Sequence, residues 1–375
     1  MYLQLNWINE LIDINDVELE NLIDKLTLGG FEVEDTLKVN ISNNEEIVLD
    51  ISATANRADS LSIKGISKEI KALLNKKVRT KSYKFDNTDL EERIQDRIDL
   101  NTTYIDNDYK TFVAFTIDNL NNFKSPNWIK EKLIASQIEP VDNLLDFQKY
   151  ILLETGYPFE FYDLDKIKKL TKANCFDLSL KSASLNESFI GLNNVEYKLN
   201  SEILLLTAND YPLSIAGLVA NNEIAYDSNS KSILVEAAIY NAKKIRQQSR
   251  ILGLRTERSA RYEKDLNESD LLQAIIRLVY LLKISNPNLI CKIHTTSRIK
   301  KNRSLNIILR YETINEILGP IFDQSSSAFL QPYQISEYLK RLNFIFKFDT
   351  FKLIWYVEVP SSRIGDIERE IDVIE

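Results

Sequence analysis

Apolar residues at Val17, Leu19, Leu22, Ile23 and Leu26 recur at helical spacing between Asp16 and Leu28, and the paired Gly29-Gly30 that follows is a helix stop. Ahead of this helix, Leu3 to Ile14 reads as a short strand and a helix. Behind it, Phe31 to Glu34 and Ile47 to Ile51 read as strands on either side of a polar gap through Asn43 and Asn44. The loop Thr54-Ala55-Asn56-Arg57-Ala58-Asp59 then leads into a helix from Ser60 to about Leu74, with Asp59 or Ser60 as its cap.

The far end of the chain repeats this order. Ile335 to Leu342 is a helix, Phe344 to Phe348 and Leu353 to Val359 are strands, and Arg363 to Asp366 leads into a last helix. Local text matches too: Leu28-Gly29-Gly30-Phe31 corresponds to Leu342-Asn343-Phe344, and Arg57-Ala58-Asp59-Ser60-Leu61 to Arg363-Ile364-Gly365-Asp366-Ile367. Two related small α/β modules are therefore predicted at the ends of the chain.

Between them, from about Asp108 to Ile284, the pattern is mixed. Phe112 to Ile117 alternates as a strand, Ser125-Pro126 opens a helix through Leu133, and Asn143 to Leu153 is a periodic helix ending near Gly156. Strands follow around Asp177–Leu180, Phe189–Gly191, Ile203–Leu206, Ser214–Val219 and Ser232–Ala238, then helices at Asn241–Leu252 and Glu268–Leu282. The fold class predicted is α+β and multidomain: residues 1–90 as an N-terminal module, 91–290 as a central domain and 291–375 as a second module.

The final segment, Ser361 to Glu375, reads as an acidic helix. Ile367, Ile371 and Ile374 form one apolar stripe, while Asp366, Glu368, Glu370, Asp372 and Glu375 crowd the rest. Asp372 and Glu375 are i, i+3 neighbours and Asp366 stands at the helix start, a spacing that suits convergence on a hard cation such as Mg²⁺. It suits equally a solvated face whose carboxylates favour the helix dipole, and that is the commoner use.

Composition narrows the function. Lys plus Arg total 47 against 55 Asp plus Glu, a net charge of −8, so nucleic acid is not gripped by the whole surface. The most basic stretch is Lys243, Lys244, Arg246, Arg250, Arg255, Arg258, Arg261 and Lys264; it reads as a phosphate contact or as a solvated face with ion pairs to Glu257 and Glu263. An acidic last helix suits no major groove, which argues against DNA. Cys175 and Cys291 form no CxxC pair, and the single histidine, His294, sits in a strand-like segment as a structural or surface residue. No apolar run reaches the ~18 residues of a membrane span, and the start lacks a leader-like core, so no membrane partner is expected.

Four stretches in order resemble the beta subunit of phenylalanine tRNA ligase. They are Leu26-Thr27-Leu28-Gly29-Gly30-Phe31-Glu32-Val33-Glu34 with Asn56-Arg57-Ala58-Asp59-Ser60-Leu61-Ser62; Leu153-Glu154-Thr155-Gly156-Tyr157-Pro158 with Tyr162-Asp163-Leu164-Asp165-Lys166-Ile167; Leu234-Val235-Glu236-Ala237-Ala238 with Gly253-Leu254-Arg255-Thr256-Glu257 and Arg261-Tyr262-Glu263; and Val357-Glu358-Val359-Pro360-Ser361 through Asp366, Glu370 and Asp372. The resemblance implies winged-helix-like end modules and an editing-type central domain. It implies an alpha-subunit partner in a heterotetramer, phenylalanine tRNA as substrate, and aminoacylation with ATP on the alpha subunit. It also implies a Mg²⁺ site shared with that subunit and held by Asp366, Asp372 and Glu375. High use of Asn, Lys and Ile, which resembles the coding bias of an AT-rich genome, and a start without a transit peptide suggest a plastid (chloroplast stroma), with bacterial cytoplasm as the alternative. The chain is expected to be a fragment or a reduced subunit.

Two departures bear on editing. Glu236 falls on the expected acidic position and reads either as the editing acid or as a strand-end carboxylate held by a nearby arginine, but the histidine of the Pro-x-His-Ala-Phe-Asp pattern is Glu160 here, and the glycine pair after Ala216-Gly217-Leu218-Val219 is Ala220-Asn221. A pocket narrowed by added side chains and lacking its histidine is expected to edit weakly or not at all. The span from Lys38 to Glu46 leaves room only for a short loop, where many bacterial relatives insert an OB-type tRNA-binding domain. The alternatives are an RNA-binding scaffold or a freestanding tRNA-editing hydrolase.

Overall fold

The computed structural model describes residues 1–42, 44–54, 56–79, 109–120, 123–268, 270–295, 305–323 and 326–375. The chain divides into two compact units: one made of Met1–Asn40, Asn44–Lys81 and Lys301–Glu375, the other of Ile41–Asn43 and Ser82–Lys300. Both end modules thus fall in one unit that is discontinuous in sequence. Of the expected boundaries, 90/91 lies outside the described residues.

The N-terminal module runs β1 (Tyr2–Gln4), α1 (Leu5–Leu11), α2 (Leu19–Leu28), β2 (Phe31–Ile41), β3 (Asn44–Ala53) and α3 (Ile63–Leu74), with sheet order β1-β3-β2. Leu3, Trp7, Leu22, Leu26, Phe31 and Ile66 fill its core. A 3-10 turn at Ala58–Ser60 precedes α3, whose cap is Ser62, its hydroxyl accepting the Gly65 N–H at 2.9 Å, rather than Asp59 or Ser60.

The central unit contains β4 (Tyr109–Asp118), α4 (Asn127–Ala135), α5 (Leu144–Thr155), β5 (Glu160–Asp163), α6 (Leu164–Thr171), β6 (Leu178–Ser182), β7 (Ser188–Ile190), β8 (Glu196–Lys198), β9 (Leu204–Ala208), β10 (Tyr211–Ile215), β11 (Val219–Ala220), β12 (Ser232–Tyr240), α7 (Ala242–Leu252), α8 (Glu257–Tyr262), α9 (Leu271–Ser285) and β13 (Ile290–Thr295). Two four-stranded antiparallel sheets are formed, β13-β4-β12-β5 and β11-β10-β9-β6. The expected boundary at 290 falls on the first residue of β13, which pairs along β4 from Ile290 to Thr295, so the central unit reaches past it. The expected strand over Ser214–Val219 is two strands, β10 and β11, because Gly217 at φ 72° turns the chain between them. In β12 every residue after Ser232 is buried: both sheet faces are covered, and a nearly continuous apolar run results. Helix α5 is bounded as its text suggests, capped by the Asn143 side chain on Leu145 N–H at 2.8 Å and ended by Gly156 at φ 82°.

The C-terminal module runs β14 (Asn306–Arg310), α10 (Tyr311–Leu318), β15 (Ile321–Asp323), β16 (Ser326–Ala328), α11 (Pro332–Arg341), β17 (Ile345–Asp349), β18 (Ile354–Glu358) and α12 (Glu370–Ile374), with sheet order β14-β18-β17. Setting aside the small β15-β16 hairpin, element order and sheet order reproduce the N-terminal module, including a 3-10 turn, Ser361–Arg363, before the last helix. The correspondence reaches single backbone angles: Gly30 after α2 and Asn343 after α11 both take the left-handed conformation, at φ 84° and 63°, and the next residues, Phe31 and Phe344, are both buried. Within this unit α11 packs against α3.

The acidic tail departs from the expected helix. Only Glu370–Ile374 is helical, and of the expected stripe Ile367 is in the core while Ile371 is exposed. The preceding residues bend because Arg363 reaches forward to the Asp366 carboxylate, with Nε at 2.7 Å, and the Asp372 carboxylate accepts the Glu368 and Arg369 N–H groups at 3.1 and 2.8 Å.

Candidate functional site: two buried carboxylates and one arginine

Nine residues of β12 carry one charge, Glu236, at the middle of the strand rather than at its end. Directly opposite it on β5 stands Glu160, so the two side chains leave the same sheet face at neighbouring positions. Both are buried, at 2% and 7% exposure. Two carboxylates so placed repel unless a cation lies between them. Arg258 of α8 supplies it: its guanidinium donates from Nη2 to Glu236 Oε1 at 3.1 Å and from Nη1 to Glu160 Oε2. The capping box of Thr256 and Ser259, with Thr256 Oγ1 also donating to the Leu218 carbonyl at 3.2 Å, fixes α8 and so aims Arg258 inward.

Hydroxyls complete the cluster. Tyr240 donates to Glu236 Oε1 at 2.9 Å and Tyr162 donates to Glu236 Oε2. Tyr262 lies edge-on to Tyr240, ring centroids 5.3 Å apart. Gln148 of α5 donates to Glu160 Oε1 at 3.2 Å and to the Phe159 carbonyl at 2.7 Å. Burial pushes the Glu160 carboxyl above its ordinary range, against the pull of Arg258 and with the help of the Glu236 charge. Burial and then the Glu236 carboxylate hold the Tyr162 and Tyr240 phenols well above theirs, so both are firm donors. Burial alone would lower the Arg258 guanidinium, but Glu160 and Glu236 raise it well above its ordinary value.

The glycine-poor turn expected to narrow this region has its own bonds. Asn221 caps the 3-10 turn Asn222–Ile224 through Glu223 N–H at 2.9 Å and donates to the Pro212 carbonyl at 2.9 Å. Gly217 keeps its place because an added Cβ would lie 2.6 Å from Ile245 Cδ1 and 3.1 Å from Tyr240.

Sequence reasoning set Glu236 and Glu160 in one doubtful pocket and offered Glu236 an arginine partner without identifying it as Arg258, and it missed Tyr162, Tyr240 and Gln148. It placed Arg258 and Arg261 in a basic stretch; Arg258 lies largely covered between the two carboxylates, and Arg261 is buried against Glu257 at 2.6 Å. Two signals were available. A lone Glu in an apolar strand must find a cation, and Tyr162 stands where the Pro-x-His-Ala-Phe-Asp pattern has phenylalanine, adding the hydroxyl that reaches Glu236. His294 is buried on β13, with Thr116 Oγ1 3.3 Å from its Nε2.

The expected metal ligands are not gathered. Among the described residues no three His, Cys, Asp or Glu side chains are placed to hold a metal ion. Asp366 takes the Arg363 guanidinium and the Asn56 amide, and Asp372 takes Arg369 at 3.1 Å, which holds its carboxyl below the ordinary range. Glu375 follows α12. Carboxylates already matched to guanidinium groups do not suit a cation that requires about six oxygens.

The central unit is thus an antiparallel-sheet domain with a buried acid on one of its inner strands. Residues 108–286 match the family described as the B3/4 domain. Over its whole length the chain is similar to beta subunits of phenylalanine–tRNA ligase. It is 47% identical over 377 residues to the chloroplastic subunit of Phaeodactylum tricornutum, covering 100% of this chain and 53% of that one. With the chloroplastic subunit of Porphyra purpurea it shares 34% over 382 residues, covering 100% and 51%. The chain thus spans about half the length of these curated relatives. An N-terminal fragment of the phenylalanyl-tRNA synthetase beta subunit from Pyrococcus horikoshii aligns at a TM-score of 0.47 and 12% identity, over 100% of this chain and 97% of that one, a likeness too low to argue from.

Proposed function

We propose that this chain acts as a beta subunit in a plastid phenylalanine–tRNA ligase, supporting ATP-dependent charging of phenylalanine tRNA on a partner alpha subunit, and that its B3/4 domain does not edit. The unbroken relatedness across both end modules and the centre to chloroplastic beta subunits supports the first part. The state of Glu236 supports the second. An acid that is to sort tyrosine from phenylalanine must keep an acceptor for the ligand's phenol. Here both oxygens of Glu236 already accept from the chain's own phenols, and Arg258 ties the acid to the opposite strand. No histidine stands at Glu160 to share a proton with an ester or its attacking water.

The chain's own residues therefore tie Glu236 and Glu160 into the central sheet, and ATP and Mg²⁺ belong to the assembled ligase. The end modules, three-stranded and sharing one topology, are read as winged-helix-like supports. Co-expression with an alpha-type subunit from the same source tests this: a stable complex that charges tRNA with phenylalanine and leaves tyrosyl-tRNA intact is expected. Failure to form any complex would return the scaffold reading, and deacylation of tyrosyl-tRNA abolished by Glu236→Gln would return the hydrolase.

A further inference from the structure

We propose that the Glu160–Arg258–Glu236 cluster is a proton-operated clasp: Glu160 is held in its neutral form in the folded chain, and losing that proton at high pH loosens the pairing of β5 with β12. The argument is one of charge balance in a dry place. Two carboxylates sit face to face across one antiparallel pair with one guanidinium between them. With both acids ionised, one negative charge is left over with Glu160 and Glu236 at 7% and 2% exposure, and an uncompensated buried charge is among the costlier things a fold can hold.

Among the described residues no second cation answers it in the cluster. From β5 the charged or titratable groups are Glu160 and Tyr162, from β12 Glu236 and Tyr240, and from α8 Arg258 and Tyr262; α5 contributes the neutral Gln148. The same sheet row continues through Ala114 of β4 to His294 of β13, two strands beyond Glu236. Hydrogen bonding decides which acid takes the proton. Glu236 accepts from Arg258, Tyr240 and Tyr162, all of which favour a charged acceptor. Apart from Arg258, Glu160 has only the longer bonds from Gln148 at 3.2 Å and from its neighbour's N–H, Phe161, at 3.4 Å. Glu160 is the weaker site for a charge, and burial raises its titration in the same direction.

The test is a pair of isosteric substitutions in the full chain. Glu160→Gln replaces a neutral acid with a neutral amide, and its melting temperature at pH 7 should stay within about 2 °C of the parent. Glu236→Gln strips Arg258 of its charged partner and should lower the midpoint by several times that. The parent should lose stability as the pH rises from the ordinary glutamate range through the raised titration of Glu160, because the folded form binds the extra proton there and the unfolded form does not. Glu160→Gln should lack that slope. Equal destabilisation by the two substitutions, or the same slope in Glu160→Gln as in the parent, would overturn the proposal. Should a variant fail to fold, the infrared spectrum of the parent in heavy water decides: a protonated-carboxyl band at pH 7 that fades on alkalinisation supports the clasp, and its absence refutes it.

Discussion

Removing the arginine between the carboxylates is the most informative single change. Arg258→Met keeps much of the aliphatic volume and deletes the guanidinium that donates to both Glu160 and Glu236. Its side chain is only 11% exposed, so water cannot take over. Breaking a buried charge pair by removing one partner costs about 3–5 kcal/mol. For a unit of this size each kcal/mol moves the midpoint by about 2–4 °C, so a fall of roughly 6–20 °C is expected in thermal unfolding at pH 8. The pH dependence identifies the cause. Without the guanidinium, ionised carboxylates are disfavoured in the folded state, so stability rises as pH falls toward the ordinary glutamate value of 4.5, and the deficit against the parent shrinks. A loss below about 1 kcal/mol at pH 8, or a deficit that stays constant between pH 5 and pH 8, would refute the electrostatic account.

Three further outcomes follow from the geometry. Tyr162→Phe deletes one donor to the buried Glu236 carboxylate and should cost about 1.5–3 kcal/mol in urea unfolding, with a change under half that showing that the bond contributes little. Gly65→Ala would set a Cβ 1.8 Å from the Asp59 carbonyl oxygen, so the bend before α3 must move; a loss of about 3 kcal/mol is expected by the same assay, and an unchanged midpoint would show that the bend is pliable. Millimolar Mg²⁺ should leave the melting temperature of the chain alone unchanged, since Asp366 and Asp372 are held by Arg363 and Arg369; a rise of several degrees that chelator reverses would contradict this.

Regular patterns made most of the scaffold legible. Helices α2, α5 and α7 are read from their spacing, and their ends from Gly29-Gly30, Asn143, Gly156 and Asn241, because caps and left-handed stops are local chemistry. The repeat of the end modules was visible in short matching text. Longer strands escaped where one face is wet: β2 runs to Ile41 through mostly exposed residues, so the stretch read as a short loop is a hairpin arm. The acidic tail misled because spacing of three isoleucines says nothing of Arg363 folding back on Asp366. Arg258 was hidden for the same reason. Among seven other basic residues it looks like surface, and only the register of β5 on β12 shows that two acids await it.

The turn shared by the two end modules carries a lesson about what a duplicated unit hands down. Gly30 and Asn343 have unlike side chains, yet each lets the backbone swing left-handed so that the next aromatic ring, Phe31 or Phe344, drops inward. What the two halves hold in common at that point is a dihedral angle and not a letter. Searches for ancient duplications that compare residues alone will pass over such positions, whereas a search that treats glycine and asparagine as synonyms after a helix will find them.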